Sequence, residues 1–172
     1  NFRPLGRKFF LDGSIGGRSA AVSPPYEGGG EGELLLTDRD LREAAHEALA
    51  AGWSVAMHAI GERAFDQALR VLGELAPEPG RARIEHAEMA DALRLERAAA
   101  LGLAICMQPN FMDRWGRPGG LYEVALGPRY ARRFVRPADY RAAGLTLAYG
   151  TDGMPAKLWP ALKAAVSTDL FG

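Results

Sequence analysis

The sequence predicts an α/β fold in which parallel strands form a barrel inside an outer layer of helices. Strand-like and helix-like patterns alternate along the 172 residues, which favours parallel pairing through right-handed crossovers. Four apolar runs that follow a glycine end in polar residues, at His58, His86, Gln108 and Asp152. In the first, third and fourth of these runs, smaller residues share a face with the polar end group and larger ones face the other way. A confined barrel interior explains this bias better than an open doubly wound sheet does.

The first part of the chain contains three of the expected strands and two helices. Thr37 with Asp40 resembles a capping box, apolar residues follow at helical spacing, and Gly52 fits the position after the helix end. The apolar positions from Phe65 to Leu75 predict the next helix. In the whole chain we expect five strands, at about 7–11, 53–57, 82–85, 103–107 and 145–149.

The second part of the chain is expected to contain shorter helices and one long loop. Asp91 is placed to cap a helix that runs to about Leu101. Residues 108–120 are rich in glycine, proline and tryptophan, which predicts a loop. Further helices are predicted over 121–134, 139–143 and 159–168.

Composition excludes several classes of partner. The formal net charge is zero, so there is no basic surface for nucleic acid or an anionic membrane. No apolar run reaches the ~20 residues that span a bilayer. Cys106 is the single cysteine and cannot form an internal disulfide, which favours a reducing cytoplasm. We expect a cytoplasmic domain with a small-molecule substrate, and oligomerisation stays open.

The residues at the strand ends suit a metal site. Two imidazoles and a carboxylate, from His58, His86 and Asp152, match the ligands of a zinc-like ion with one position left for water. Such an ion lowers the pKa of its water to roughly 7, and Asp152 is placed to shuttle the proton. The alternative is that each histidine is structural, and the shared register favours ligation. His46, in the middle of a predicted helix, is expected to be structural or exposed.

Lys8 lies within an apolar run and shares a face with Phe10 and Asp12. A buried lysine has a depressed pKa, and a neutral amine can react with carbon dioxide to give a carbamate that ligates metal as a carboxylate does. The alternative is a lysine whose stem lies along the sheet while its amine reaches water. The residues alone favour that alternative.

Five segments, in order, resemble motifs of the amidohydrolase superfamily. The subgroup is amidohydrolase family 3, the YtcJ-like metal-dependent hydrolases. The first segment resembles K-x-x-x-D-G-S-x-G-x-R-[ST]-A, the second H-A-I-G-D-R-A with Glu62 for the aspartate, and the third R-I-E-H-A. The last two resemble x-Q-P-x and G-[ST]-D-x-P. They lie at residues 8–21, 58–64, 83–87, 107–110 and 150–155.

This resemblance implies a (β/α)8 TIM barrel with one or two divalent ions, usually zinc. Lys8 would be the carbamylated bridging ligand on barrel strand four, and His58 and His86 would be ligands on strands five and six. Asp152 would be the strand-eight carboxylate that binds the metal and carries protons. The implied reaction is hydrolysis of a carbon–nitrogen bond, usually in an amide, by metal-bound hydroxide.

The family's strand-one His-x-His pair has no counterpart here. We therefore expect residues 1–172 to be a partial catalytic barrel domain covering roughly strands 4 to 8, without strands 1–3 and the β-sandwich segments. The parent protein would be a metal-dependent amidohydrolase. The alternative is a non-catalytic fragment of such an enzyme. A phosphate- or nucleotide-binding domain is disfavoured because no glycine-rich strand-to-helix fingerprint is present.

Overall fold

Five parallel strands form one sheet in which each strand pairs with the next along the chain. The computed structural model describes residues 4–128, 134, 136–154 and 158–166. This all-parallel, sequential order confirms the predicted α/β class and corresponds to five successive strands of a β/α barrel. The strands are β1 Gly6–Phe10, β2 Ser54–Ala59, β3 Ala82–His86, β4 Ala104–Met107 and β5 Thr146–Tyr149.

Seven helices lie within the described residues, and two of them begin as predicted. The Thr37 hydroxyl accepts a hydrogen bond from the Asp40 N–H, and the Asp91 carboxylate accepts one from the Arg94 N–H. None of the described helices is long and apolar enough to cross a bilayer. The helices are α1 Asp38–Ala50, α2 Glu62–Leu75, α3 Ala92–Ala100, α4 Pro109–Trp115, α5 Leu121–Leu126, α6 Pro137–Ala142 and α7 Leu158–Val166.

Two predictions for the second part of the chain are wrong. Residues 108–120, predicted as a loop, contain α4. The proline does not prevent this helix, because Pro109 occupies the first helical turn, where no backbone donor is needed. The helix predicted over 121–134 is only the short α5, which ends at Gly127 with φ 81°. Residues 129–133, within that prediction, lie outside the described part, as do residues 167–168 of the last predicted helix.

The main core lies between the sheet and the helices. Phe9, Met57, Ile84 and Ile105 form one row across four strands, and all four pack in the same buried cluster as apolar residues of α1, α2 and α3. Alternation then directs the neighbouring positions of each strand to the opposite face. That face therefore carries the small and polar residues.

Lys8 lies on this opposite face and is exposed, which agrees with the alternative that the residues alone favoured and not with a buried lysine. It pairs with Ala56 in the β1–β2 register. Its Nζ lies 4.9 Å from the centroid of the Phe10 ring, and Phe10 is itself 53% exposed. The reason is that no helix of the described residues covers this face of β1, whereas Phe9, one residue away, is buried against the helices.

Gly61 is required by a close approach of two backbones. A Cβ at this position would lie 2.1 Å from the carbonyl oxygen of Ala21. We expect Gly61→Ala to lower the free energy of unfolding by about 1–3 kcal/mol, because backbone must shift to relieve the overlap. Urea unfolding measures this change.

Gly73→Ala is the matched control, because Gly73 lies within α2, the helix that Gly61 directly precedes. The nearest atom to its added Cβ is Leu101 Cδ2 at 4.0 Å, and alanine stabilises a helix interior by about 0.5–1 kcal/mol relative to glycine. The two substitutions should therefore have opposite signs. Equal effects would contradict the close approach at Gly61.

Candidate metal centre

The buried carboxylate of Asp12 joins three segments of backbone. It follows β1 and accepts hydrogen bonds from the N–H groups of Ala21 at 2.9 Å, Ile60 at 3.1 Å and Gly61 at 2.8 Å. Burial raises the pKa of Asp12, while these backbone donors lower it. The loop after β1 is thereby fixed against the end of β2 and the start of α2.

His58 lies at the end of β2 on the face away from the helices. Its Nε2 lies 3.0 Å from the carbonyl oxygen of Gly13 and 3.5 Å from Asp12 Oδ1. Because a carbonyl only accepts, this contact assigns the proton to Nε2 and leaves a lone pair on Nδ1. His58 Nδ1 is buried and has no hydrogen-bond partner within the described part of the chain.

His86 reaches the same place through an unusual backbone conformation. It pairs with Ala59, which packs in the helix-side core, so regular alternation would direct its side chain toward the helices. His86 instead has φ 71° and the next residue, Ala87, has φ 49°. This left-handed turn brings its ring centroid to 4.4 Å from that of His58.

The surroundings of His86 keep its imidazole neutral. Burial, followed by the neighbouring His58, lowers the pKa of His86 to about 4, and Asp152 partly opposes this effect. Nε2 lies 3.9 Å from Asp152 Oδ2, and Nδ1 is buried without a partner among the described residues. A neutral imidazole retains the lone pair that a metal needs.

Asp152 follows β5 and is also in a left-handed conformation, with φ 45°. Its side chain is 52% exposed, so the carboxylate is accessible to water and substrate as well as to His86. The preceding residue is held in place because the amide of Asn110 donates a hydrogen bond to the Thr151 carbonyl at 3.2 Å. Asn110 thus supports the turn that directs Asp152.

The structure brings together three of the predicted site residues. His58 contacts His86, and His86 contacts Asp152. Gln108 does not join this group, because its amide donates a hydrogen bond to the backbone carbonyl of Cys106 at 3.4 Å. Lys8 occupies the row below His58. Within the residues that the structure describes, no group of three or more His, Cys, Asp or Glu side chains is arranged to hold a metal ion.

Sequence reasoning missed Asp12 and Glu88 as parts of the site. The sequence contained an indication for Asp12, because this residue follows β1 in the same way that the two histidines lie at the ends of their strands. For Glu88 it contained none. This residue is 7% exposed, and both of its oxygens are covered. Burial raises the pKa of Glu88 to about 7, the nearby Tyr122 hydroxyl lowers it and Asp12 raises it further.

The remaining reactive side chains are poor candidates for catalysis. His46 is exposed on α1, as expected. Burial and the hydrogen bond with Glu85 raise the pKa of the Cys106 thiol to about 11. The thiol is therefore protonated at neutral pH and is a weak nucleophile.

A cavity of about 370 Å³ opens beside the two histidines and Asp152. Its walls come from the loop after β1, the ends of β2, β3 and β5, and helices α4 and α5. The described residues that line it are Ser14, Ile15, Gly16, Gly17, His58, Ile60, His86, Glu88, Phe111, Trp115, Leu121, Tyr122 and Asp152.

Comparison with known proteins finds a protein family and several relatives that are similar to this chain. The model of a family described as "Amidohydrolase family" matches residues 2–171. YtcJ of Bacillus subtilis (strain 168), whose name places it among amidohydrolases, is 36% identical over 108 residues; the match covers 61% of this chain and 20% of YtcJ.

Two solved structures are similar over nearly the whole chain. An uncharacterized metal-dependent hydrolase from Pyrococcus horikoshii OT3 is 32% identical with a TM-score of 0.82, covering 94% of this chain and 33% of that one. One from Pyrococcus furiosus is 31% identical with a TM-score of 0.82, covering 98% of this chain and 36% of that one. The chain thus spans about a third of the length of these structures.

The low pKa of His86 predicts an acid-sensitive fold. In the unfolded chain its pKa returns toward 6.5, whereas in the folded protein it is about 4. The unfolded state therefore binds the proton more readily, and stability should fall as pH decreases from about 6.5 toward 4. Urea unfolding across this range should show less of this loss in His86→Gln. An NMR titration of the His86 ring with a midpoint near 6.5 would contradict the prediction.

Asp12→Asn should be strongly destabilising. An asparagine replaces one of the two acceptor oxygens with a donor, which leaves backbone N–H groups of Ala21, Ile60 or Gly61 unsatisfied at a cost of about 1–3 kcal/mol each. Asp91→Asn is the matched control, because asparagine caps a helix as well as aspartate does. Thermal unfolding should show a much larger loss for Asp12→Asn. Similar losses for both variants would contradict the anchoring role.

Proposed function

The chain belongs to the amidohydrolase family, and from this we propose that it supplies part of the active site of a metal-dependent hydrolase. The proposed substrate class is small molecules with a carbon–nitrogen, amide-type bond. One observation carries the proposal. The ring centroids of His58 and His86 lie 4.4 Å apart at the carboxyl ends of parallel strands, and each ring has a buried nitrogen with no hydrogen-bond partner among the described residues.

The residues present fit a divalent ion such as zinc. His58 donates from Nε2 to the Gly13 carbonyl, and metal-binding histidines usually make such a bond with the nitrogen that does not bind the metal. This leaves His58 Nδ1 as one ligand. His86 would supply the second imidazole and Asp152 a carboxylate oxygen, a nitrogen and oxygen donor set that zinc accepts. That two structural relatives are named metal-dependent hydrolases supports the proposal that a metal ion is bound.

The chain's own residues would each have a defined part in hydrolysis. When bound, a divalent ion supplies a nucleophile from water near neutral pH. Asp152, half-exposed and 3.9 Å from His86, would take the proton from that water and pass it to the leaving nitrogen. Gly13 and Asp12 orient His58, and the low pKa of His86 keeps it unprotonated at neutral pH.

We propose a further ligand role for Lys8 in its carbamylated form. Lys8 lies on the same face as His58, and its charge contributes to lowering the pKa of His86. Carbon dioxide can reach the exposed amine, and it would react with the neutral fraction of that amine, with loss of a proton, to form the carbamate. A carbamate would add a carboxylate to the row below the two histidines.

We also propose that these residues form only part of the complete centre. Two imidazoles and one carboxylate, together with a water, are enough for one four-coordinate zinc ion. A second ion would need further protein ligands. The missing ligands and barrel strands would lie outside residues 1–172, in a longer, cytoplasmic protein. On this proposal the isolated chain is weak or inactive as a catalyst.

The metal assignment can be tested with the chain's three histidines. In the full-length protein, His58→Ala and His86→Ala should each reduce bound zinc by roughly tenfold or more, since each removes a ligand. His46→Ala, at an exposed helical position, should retain full metal content. Metal analysis after dialysis gives the first readout, and hydrolysis of N-acyl and cyclic amides gives the second.

Two outcomes would count against the proposal. Equal metal content in all three variants would remove His58 and His86 from the ligand set. If the unsubstituted protein binds its full complement of metal but hydrolyses no amide, the metal site is retained and the proposed reaction class is refuted.

A further inference from the structure

The cavity beside the histidines has a wall of neighbouring aromatic rings. Phe111 lies 6.0 Å from His86 in a nearly parallel arrangement, Trp115 lies 4.7 Å from Phe111, and Tyr122 lies 6.2 Å from Trp115. These are ring-centroid distances, within the range of favourable aromatic contacts. The rings line one continuous path that begins at the proposed catalytic centre.

The charged groups of the cavity have one sign. Among its described lining residues there is no lysine or arginine, and the acidic groups are Glu88 and Asp152. Glu88 is buried without a counter-charge. Before a metal ion is bound, a carboxylate or phosphate on a ligand would therefore lose its hydration beside the Asp152 carboxylate and find no lysine or arginine among these lining residues.

The volume limits the size of the group that fits. About 370 Å³ lies at the lower end of the 300–1,000 Å³ typical of small-molecule pockets. Apart from these rings, the two histidines and the two acids, the described lining residues are aliphatic, glycine or serine: Ser14, Ile15, Gly16, Gly17, Ile60 and Leu121. The cavity thus suits one ring system on a short linker.

We propose that the amide substrate carries an uncharged aromatic group, which packs against Phe111, Trp115 and Tyr122 while the amide lies at the histidines. This inference rests on the proposed function, because it treats the cavity as the substrate site of the same centre. It adds the substrate class: neutral aryl amides, with anionic analogues excluded.

Binding can be measured separately from hydrolysis in chelator-treated, full-length protein. The probes are N-(2-phenylethyl)acetamide, its 4-carboxyphenyl analogue and its cyclohexyl analogue, each titrated by calorimetry. The phenyl probe should bind at least about tenfold more tightly than the carboxylated one, since an unpaired charge is costly to bury. It should bind about two- to tenfold more tightly than the cyclohexyl probe, because only the phenyl ring stacks.

The chain offers a matched pair of tryptophans for this test. Trp115→Leu should weaken binding of the phenyl probe by about two- to tenfold, and Trp115→Tyr should restore most of it. Trp159→Leu, on α7 and 78% exposed, should leave binding unchanged. Circular dichroism checks that each variant is folded.

The outcomes separate the two proposals. If the phenyl probe binds as predicted but no amide is hydrolysed by the metal-loaded protein, the reaction class fails and the aromatic pocket stands. If the carboxylated probe binds as tightly as the phenyl probe, or if both tryptophan variants lose binding equally, the aromatic substrate class is overturned. Failure of the phenyl probe to bind overturns it as well.

Discussion

The geometry of the site depends on one buried carboxylate. Asp12 accepts three backbone hydrogen bonds from segments that are distant in sequence, and the neighbouring carbonyl of Gly13 fixes the proton of His58 on Nε2. Burying a carboxylate is costly unless its oxygens are well satisfied. Here the donors are main-chain groups, which have little freedom to move. The direction of the His58 lone pair is therefore set by backbone rather than by a flexible side chain.

A second constraint is local backbone strain at the ends of β3 and β5. His86, Ala87 and Asp152 adopt positive φ without being glycine, a conformation that costs free energy. Two side chains stabilise these turns. The fully buried Tyr140 donates a hydrogen bond from its hydroxyl to the Ala87 carbonyl, and Asn110 donates to the Thr151 carbonyl. Both helices that provide them, α6 and α4, thus contribute to the site without contacting the histidine nitrogens.

Periodicity in the sequence was sufficient for the sheet and for His58, because alternation alone directs its side chain away from the helices. Periodicity was insufficient for His86. Regular alternation would direct this side chain toward the helices, and a left-handed turn directs it to the opposite face instead. For Lys8 the residues alone favoured an amine that reaches water, and the structure agrees because no helix of the described residues covers that face of β1. The helix α4 was missed since its composition resembles a loop, although its proline occupies a position that helices tolerate.

The protein has two apolar clusters, which pack in different places. One lies between the sheet and the outer helices and holds the strand ends in register. The other includes Ile15, Met89 and Tyr122 and lies around the cavity. His58 is thus held by β2 and by Asp12 and Gly13 of the loop after β1, whereas the aromatic wall of the cavity comes from α4 and α5. Because these are different elements, substitutions at Phe111, Trp115 or Tyr122 can change which group fits the cavity while His58 and its Gly13 contact stay in place.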